Sequence, residues 1–252
     1  MMAEAIIETR RLTKSFRGFK AVNDISIRVE PGTIHALIGA NGAGKTTCFN
    51  LLTKFLEPSA GSILYKGRDI TRLKPDQVAR LGMVRSFQIS AVFSQLPALE
   101  NVKLALQRRR GESYDFWGSQ RRLEAYHERA MSLLEEVGLD DWADTLSAEL
   151  PYGRKRALEL ATTLALDPEL MLLDEPLAGM GTEDVGRTAE LIRRVAADRT
   201  VLMVEHNLGV VAELCDRITV LARGEVLVEG DYATVSRDPR VIESYIGGAH
   251  HD

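Results

Sequence analysis

The 252-residue chain predicts an α/β fold, a mainly parallel sheet interrupted by one helical insert. Three observations lead there. Short apolar runs bounded by glycine or proline alternate with stretches of helical spacing. A glycine-rich loop, Gly39 to Thr46, lies between one such run and one such helix. From about Leu99 to Leu166 strand-like runs vanish, and apolar residues recur at three and four.

Taken in order, Ile6 to Leu12 and Ile25 to Val29 alternate apolar and polar residues, as half-buried strands do. Pro31-Gly32 is a turn, and Thr33 to Ile38 is an apolar run suited to a buried parallel strand. Lys45 to Phe55 has helical spacing. Gly61 to Tyr65 with the Lys66-Gly67 turn predicts a hairpin, and Leu81 to Phe87 another strand. In the insert, Val102 to Arg109, Leu123 to Val137 and Arg154 to Leu166 are helix candidates, the first two separated by Gly111 to Gly118. The sheet resumes at Leu170 to Asp174, then Thr200 to Glu205 and Ile218 to Ala222. Val226 to Val228 closes a last hairpin and Arg240 to Ile246 a last helix.

A hydrophobic content of 45% over this length supports a sizeable core. The net charge of -4 argues against a nucleic-acid binder, which is usually basic. Cys48 and Cys215 lie far apart, with no metal or disulfide spacing, so reduced thiols in a cytosolic protein are expected. The N-terminus does not read as a signal peptide. No apolar run approaches the roughly 18 residues that span a bilayer, so any membrane partners are expected to be separate chains. The arginines at 108–110, 121 and 122 read as a solvated face, with a contact to loops of a membrane partner or to lipid headgroups as the sharper alternative.

Gly39-Ala40-Asn41-Gly42-Ala43-Gly44-Lys45-Thr46 matches the full phosphate-loop pattern, with a strand before it and a helix after it. Its glycines let successive N–H groups and the positive end of the helix face an anion. Lys45 is expected to neutralise β- and γ-phosphates, and the Thr46 hydroxyl to ligate Mg²⁺. The loop alone does not tell a kinase from a transport ATPase, a GTPase or a motor. Asp174 closes an apolar strand at its carboxyl end, where ligands bind in open α/β sheets. It is expected to hold the Mg²⁺ shell with Thr46. Glu175, adjacent but differently directed, is placed to orient and deprotonate the attacking water. The bland alternative is a charged strand end facing solvent.

In order and in register, these motifs resemble the ATP-binding cassette (ABC) ATPases. The resemblance implies a P-loop ABC ATPase core with an antiparallel β subdomain and an inserted helical subdomain. Residues 1–252 form one cassette, 1–98 and 167–252 the core, and 99–166 the helical part. It assigns Gln88 to the metal and water, His206 to the γ-phosphate and Phe16 to stacking on adenine. Candidate catalytic residues are thus Glu175, His206 and Gln88. Candidate metal ligands are Thr46, Gln88 and Asp174. Candidate nucleotide-binding residues are Phe16, Gly39, Asn41, Gly42, Ala43, Gly44, Lys45, Thr46, Thr47 and Gly153.

The family's signature is usually Leu-Ser-Gly-Gly-Gln; here it is Leu150-Pro151-Tyr152-Gly153-Arg154. Proline offers neither a hydroxyl nor an N–H. Gly153 still can, and Arg154 is expected to add positive charge nearby. The family's geometry sets this segment against the ATP of a second subunit. Gly181 stands where the family usually has Asp or Asn, removing a side chain that would bond across the dimer. The tyrosine-glycine signature running into "RALELA" resembles the ATPases of branched-chain amino acid importers. So do "VRSFQ" at 84–88, "VEHN" at 204–207 and the ending "DPRVIESYIGG". The resemblance implies ATP and Mg²⁺, a homodimer or paralogous heterodimer, two transmembrane permease subunits and an extracytoplasmic solute-binding protein. It places the chain on the cytoplasmic face of the membrane. An exporter ATPase of lipopolysaccharide type and a non-transport ABC protein are the alternatives.

Overall fold

The computed structural model describes residues 4–86, 92–110 and 120–246. Two sheets organise it. The first is antiparallel: β1 (Ile7–Phe16) pairs with β2 (Phe19–Ile25), with β3 (Arg28–Val29) and with β5 (Ala60–Tyr65), and β5 carries β6 (Arg68–Asp69). The second has six strands in the order β11-β10-β4-β9-β8-β7. These are β4 (Ile34–Ile38), β7 (Met83–Arg85), β8 (Leu170–Asp174), β9 (Thr200–Val204), β10 (Arg217–Ala222) and β11 (Glu225–Gly230). All are parallel except β11, which returns antiparallel beside β10.

The central strands are buried on both faces, as parallel strands under helices must be. Their side chains alternate between two cores. Ile38, Leu173 and Met203 face the helical side with α3 (Ala98–Arg110), α4 (Gln120–Glu136) and α5 (Tyr152–Leu164). Leu37, Leu172 and Leu202 face the antiparallel sheet and α1 (Lys45–Leu52), whose Phe49 is fully buried. Helix α6 (Thr182–Val195) and the short α7 (Leu208–Leu214) link β8 to β9 and β9 to β10. Outside this frame lie α2 (Pro75–Arg80), α8 (Tyr232–Arg237) and α9 (Pro239–Ile246).

Near the N-terminus one expected strand is displaced and another, over most of β2, was not expected. Instead of one strand over Ile25 to Val29, β2 ends at Ile25 and β3 holds only two residues. Asp24 adopts φ 55, and the β1–β2 register shifts twice, which masks the alternation. Helices α2 and α8 were not predicted, being only six residues each. The Gly111 to Gly118 break lies outside the described residues, as do the side chains of the basic cluster except Arg108.

His35, in the strand that feeds the phosphate loop, is fully buried. Its Nε2 lies 2.8 Å from Thr219 Oγ1, and that hydroxyl donates to Glu229 Oε2 at 3.0 Å. The threonine oxygen must therefore accept from Nε2–H, leaving Nδ1 unprotonated and without a partner in the core. Burial lowers the pKa of His35 to about 4, against a weaker opposing pull from Glu229. The unfolded chain takes up this proton near pH 6.5 and the folded chain only near 4, so stability is lost as pH falls through that window. Between pH 7 and 4.5 the parent should lose roughly 2–3 kcal/mol more than His35→Gln. Urea unfolding at the two pH values measures it, and equal losses would contradict the assignment.

Candidate active site

Strand β4 delivers the chain to Gly39, at φ 152, where an added Cβ would stand 2.3 Å from the Leu221 carbonyl oxygen. Gly44, at φ 100, would bring a Cβ 2.5 Å from the Ala21 carbonyl oxygen of β2. The loop is thus wedged between β10 and the β1–β2 hairpin, and only glycine fits at either end. The Gly224 amide donates to Ala43 O at 3.0 Å and steadies its middle. Gly44 caps α1 without a side chain, and no acidic residue lies in the first turn, so the helix start favours an anion. Asn41, Gly42 and Thr46 are exposed, and Thr47 is half-buried.

Lys45 reaches back over this loop. Its Nζ donates to Gly39 O at 2.7 Å and Ala40 O at 3.1 Å. Burial lowers its pKa, and the nearby Glu175 carboxylate works in the opposite direction. The two groups thus lie close enough for their charges to interact, although 130 residues separate them, from 45 to 175.

Asp174 ends β8 opposite Val204 of β9. Glu175 follows at φ 48, with its N–H donating to Val204 O at 3.0 Å and its carbonyl accepting from Ala178 N at 3.1 Å. The left-handed turn takes Glu175 out of the extended backbone of β8 immediately after Asp174. Asp174 Oδ2 accepts from Arg85 Nη2 at 2.5 Å, and Arg85 Nη1 donates to Asn50 Oδ1 at 2.6 Å. Neither Arg85 nor Asn50 was singled out from sequence. The available signal was an arginine inside a short, mostly buried strand, which normally requires a partner.

His206 follows β9 and is exposed at the same rim. Before it, Glu205 is buried: Oε1 accepts from Leu177 N at 3.1 Å, and Oε2 from His206 N at 3.1 Å and Asn207 N at 3.4 Å. This carboxylate clamps the loop after β8 to the loop after β9, a role the sequence reading missed. Phe16 is 44% exposed in the hairpin that packs on Gly44, with Lys14 Nζ 5.2 Å from its ring. The ring is therefore partly exposed, with the Lys14 ammonium over it. Gln88 lies outside the described residues.

Pro151 caps α5 with φ -56 and ψ 156, its carbonyl accepting the opening bond from Lys155 N at 3.0 Å. Gly153 sits in the first turn, against the Asp184 carboxylate. The expectation for Arg154 needs correction. Its guanidinium donates to Gly138 O at 2.5 Å and lies 5.7 Å from the Trp142 ring, so it braces α4 instead of the loop surface. Tyr152 takes the linking part: its hydroxyl donates to Ala178 O at 2.8 Å and accepts from Arg156 Nη2 at 3.2 Å. Gly181 caps α6 at φ -70 with nothing within 4 Å of an added Cβ, so the fold does not demand glycine there.

Both cysteines are free, and burial pushes each thiol up to about 12, which leaves them unreactive. The hard oxygen donors at the rim, the Thr46 hydroxyl and the Asp174 carboxylate, suit Mg²⁺ better than a soft metal. Among the described residues, no hydrogen bond reaches Asp174 Oδ1, so one oxygen of that carboxylate is open to a cation.

A phosphate loop, a strand-end carboxylate pair and a helical insert on a parallel sheet define a nucleotide-hydrolysing cassette. Residues 22–178 match the family described as ABC transporter, and the chain belongs to that family. Residues 225–251 match a second description, branched-chain amino acid ATP-binding cassette transporter. The chain is 35% identical to the high-affinity branched-chain amino acid transport ATP-binding protein BraF of Pseudomonas aeruginosa, over 98% of this chain and 100% of BraF. It is 35% identical to LivG of Escherichia coli, a protein of the same description, over 98% and 100%. A probable LivG of Archaeoglobus fulgidus is 36% identical over 96% and 95%. Among solved structures, an ABC transporter cassette in its ADP conformation superposes with TM-score 0.83 at 28% identity, covering 96% of this chain and 99% of that one.

The cap geometry of α5 yields a prediction. Pro151→Ser supplies the missing capping hydroxyl and should stabilise the chain by about 0.5–2 kcal/mol in urea unfolding. ATPase turnover at saturating ATP should stay equal or rise, and a collapse would show that the proline itself is needed.

Proposed function

We propose that this chain is the ATP-hydrolysing subunit of an ABC importer, closing with a second copy or a paralogue around two ATP molecules. Closure and reopening would drive two permease subunits that take up branched-chain amino acids or a related small solute delivered by an extracytoplasmic binding protein. The observation that carries this reading is that the phosphate loop after β4, whose Gly39 carbonyl Lys45 reaches, and the Asp174-Glu175 pair closing β8 leave the sheet at one level on either side of β9. It occurs in a chain that aligns end to end with branched-chain amino acid transport ATP-binding proteins. The match over 225–251 supports branched-chain amino acids as the solute class. No described helix is long and apolar enough to cross a membrane, and in this reading the spanning parts are separate permease chains that hold the cassette on the cytoplasmic face.

Each residue has a task in this reading. The N–H groups of the loop from Asn41 to Thr46 cradle the phosphates, and the Lys45 ammonium neutralises β- and γ-oxygens. Phe16 stacks on the adenine. Glu175 orients a water and takes its proton as the water oxygen bonds to the γ-phosphorus and the bond to the bridging oxygen breaks, giving ADP and phosphate. His206, exposed beside it, contacts the γ-phosphate, and Gln88 joins the water and metal. Thr46 and Asp174 would hold Mg²⁺, which when bound supplies positive charge to the β- and γ-phosphate oxygens. The helical segment 99–166 presents Gly153 at the start of α5 to the ATP of the partner subunit.

Two measurements test this. Glu175→Gln removes the base but keeps the shape, lowering turnover by about 10²–10⁴. That variant should elute as a dimer in ATP and as a monomer without it, and monomers alone at saturating ATP would contradict the sandwich. Affinity purification from the native membrane should recover two multi-spanning permeases. Recovery of the chain with none would exclude the transporter assignment.

A further inference from the structure

We propose that Arg85 is a positioning residue for Mg²⁺ binding, tying the Asp174 carboxylate to the helix that carries Thr46. The proposal rests on the reading of Asp174 and Thr46 as the metal's protein donors. Arg85 belongs to the "VRSFQ" segment, which the sequence reading used only as a mark of resemblance.

The guanidinium is a planar fork with fixed donor directions. One arm, Nη2, donates to Asp174 Oδ2 at 2.5 Å, and the other, Nη1, donates to Asn50 Oδ1 at 2.6 Å. Its central carbon lies 5.5 Å from the Phe49 ring and 5.8 Å from the Phe55 ring, so stacked faces confine it. The side chains of Arg85 and Asp174 are only 16% and 12% exposed, which limits screening of the pair. Strand pairing sets the reach: Arg85 lies opposite Leu172, two residues before Asp174 along the parallel neighbour.

The link to Thr46 follows from helix geometry. Asn50 is four residues after Thr46 in α1, so both lie on one face of the helix, one turn apart. Arg85 therefore fixes the span between the helix face bearing the hydroxyl donor and the strand end bearing the carboxylate donor. It holds Asp174 by Oδ2 only, and no described residue bonds to Oδ1. The arginine thus restrains the carboxylate through one oxygen. Groups that orient a metal-ligating carboxylate typically change metal affinity by about 10–100-fold when removed.

The test uses the full-length chain, a fluorescent ATP analogue as probe, and titration with Mg²⁺ against an EDTA reference. Arg85→Gln should bind the analogue in EDTA within about twofold of the parent, while the Mg²⁺ concentration for half-maximal enhancement rises about tenfold. Arg85→Lys, able to reach Asp174 but not both partners, should recover part of the shift. Asn50→Ala cuts the other arm and should give a smaller shift than Arg85→Gln. Asp174→Asn is the reference for the metal ligand itself. If Asp174→Asn shifts the Mg²⁺ curve and none of the Arg85 or Asn50 variants does, the positioning role is wrong while the metal assignment stands. Equal loss with and without Mg²⁺ would make Arg85 a fold residue and overturn the proposal. If Asp174→Asn leaves the curve unmoved, the metal assignment fails and takes the proposal with it.

Discussion

Parallel pairing of β4, β9 and β8 is the interaction on which the site depends. In their register, Leu37 and Asp174 both lie opposite Val204, so the three strands end at nearly the same level. The residues that follow, Gly39, Glu175 and Glu205, leave the sheet along one rim. Because the strands are buried on both faces, the polar groups of the site lie at the rim, while His35 inside β4 is paired with Thr219. A slip of one residue would exchange the two cores and turn Asp174 toward the opposite layer.

Left-handed backbone also shapes that rim. Gly39 and Gly44 carry φ values of 152 and 100, and Glu175, which is not glycine, sits at φ 48. A non-glycine residue in the left-handed region costs of order 1–3 kcal/mol, so its neighbours must hold it there. Val204 O and Ala178 N bond the Glu175 backbone on both sides. The bonds that hold the strain also aim the side chain.

The loops around the site are joined by backbone acceptors and donors more than by ion pairs. Tyr152 reaches the Ala178 carbonyl, and Glu205 gathers the amides of Leu177, His206 and Asn207. The start of α5, the loop after β8 and the loop after β9 are therefore linked within one chain. This bears on the two departures from the family pattern. Pro151 and Gly181 lack the polar side chains usual at these positions in the family, but the links within the chain use neither side chain.

The sequence by itself determined the phosphate loop, the strand ending in Asp174 and Glu175, the helical insert and the Gly61 to Tyr65 hairpin. Each rests on local chemistry: glycine permits positive φ, apolar runs are buried, and a periodicity of three and four makes an amphipathic helix. Tertiary structure decided what depends on register between distant segments. Arg85 meets Asp174 only because β7 lies beside β8, and Glu205 meets Leu177 only because β9 lies on the other side. Arg154 looked like charge for a phosphate, but the packing of α5 on the end of α4 gave its guanidinium a carbonyl and an indole ring instead. The β1–β2 pairing was hidden by two register shifts that no local pattern records. A side chain's type is written in the chain, whereas its partner is set by which strands and helices pack together.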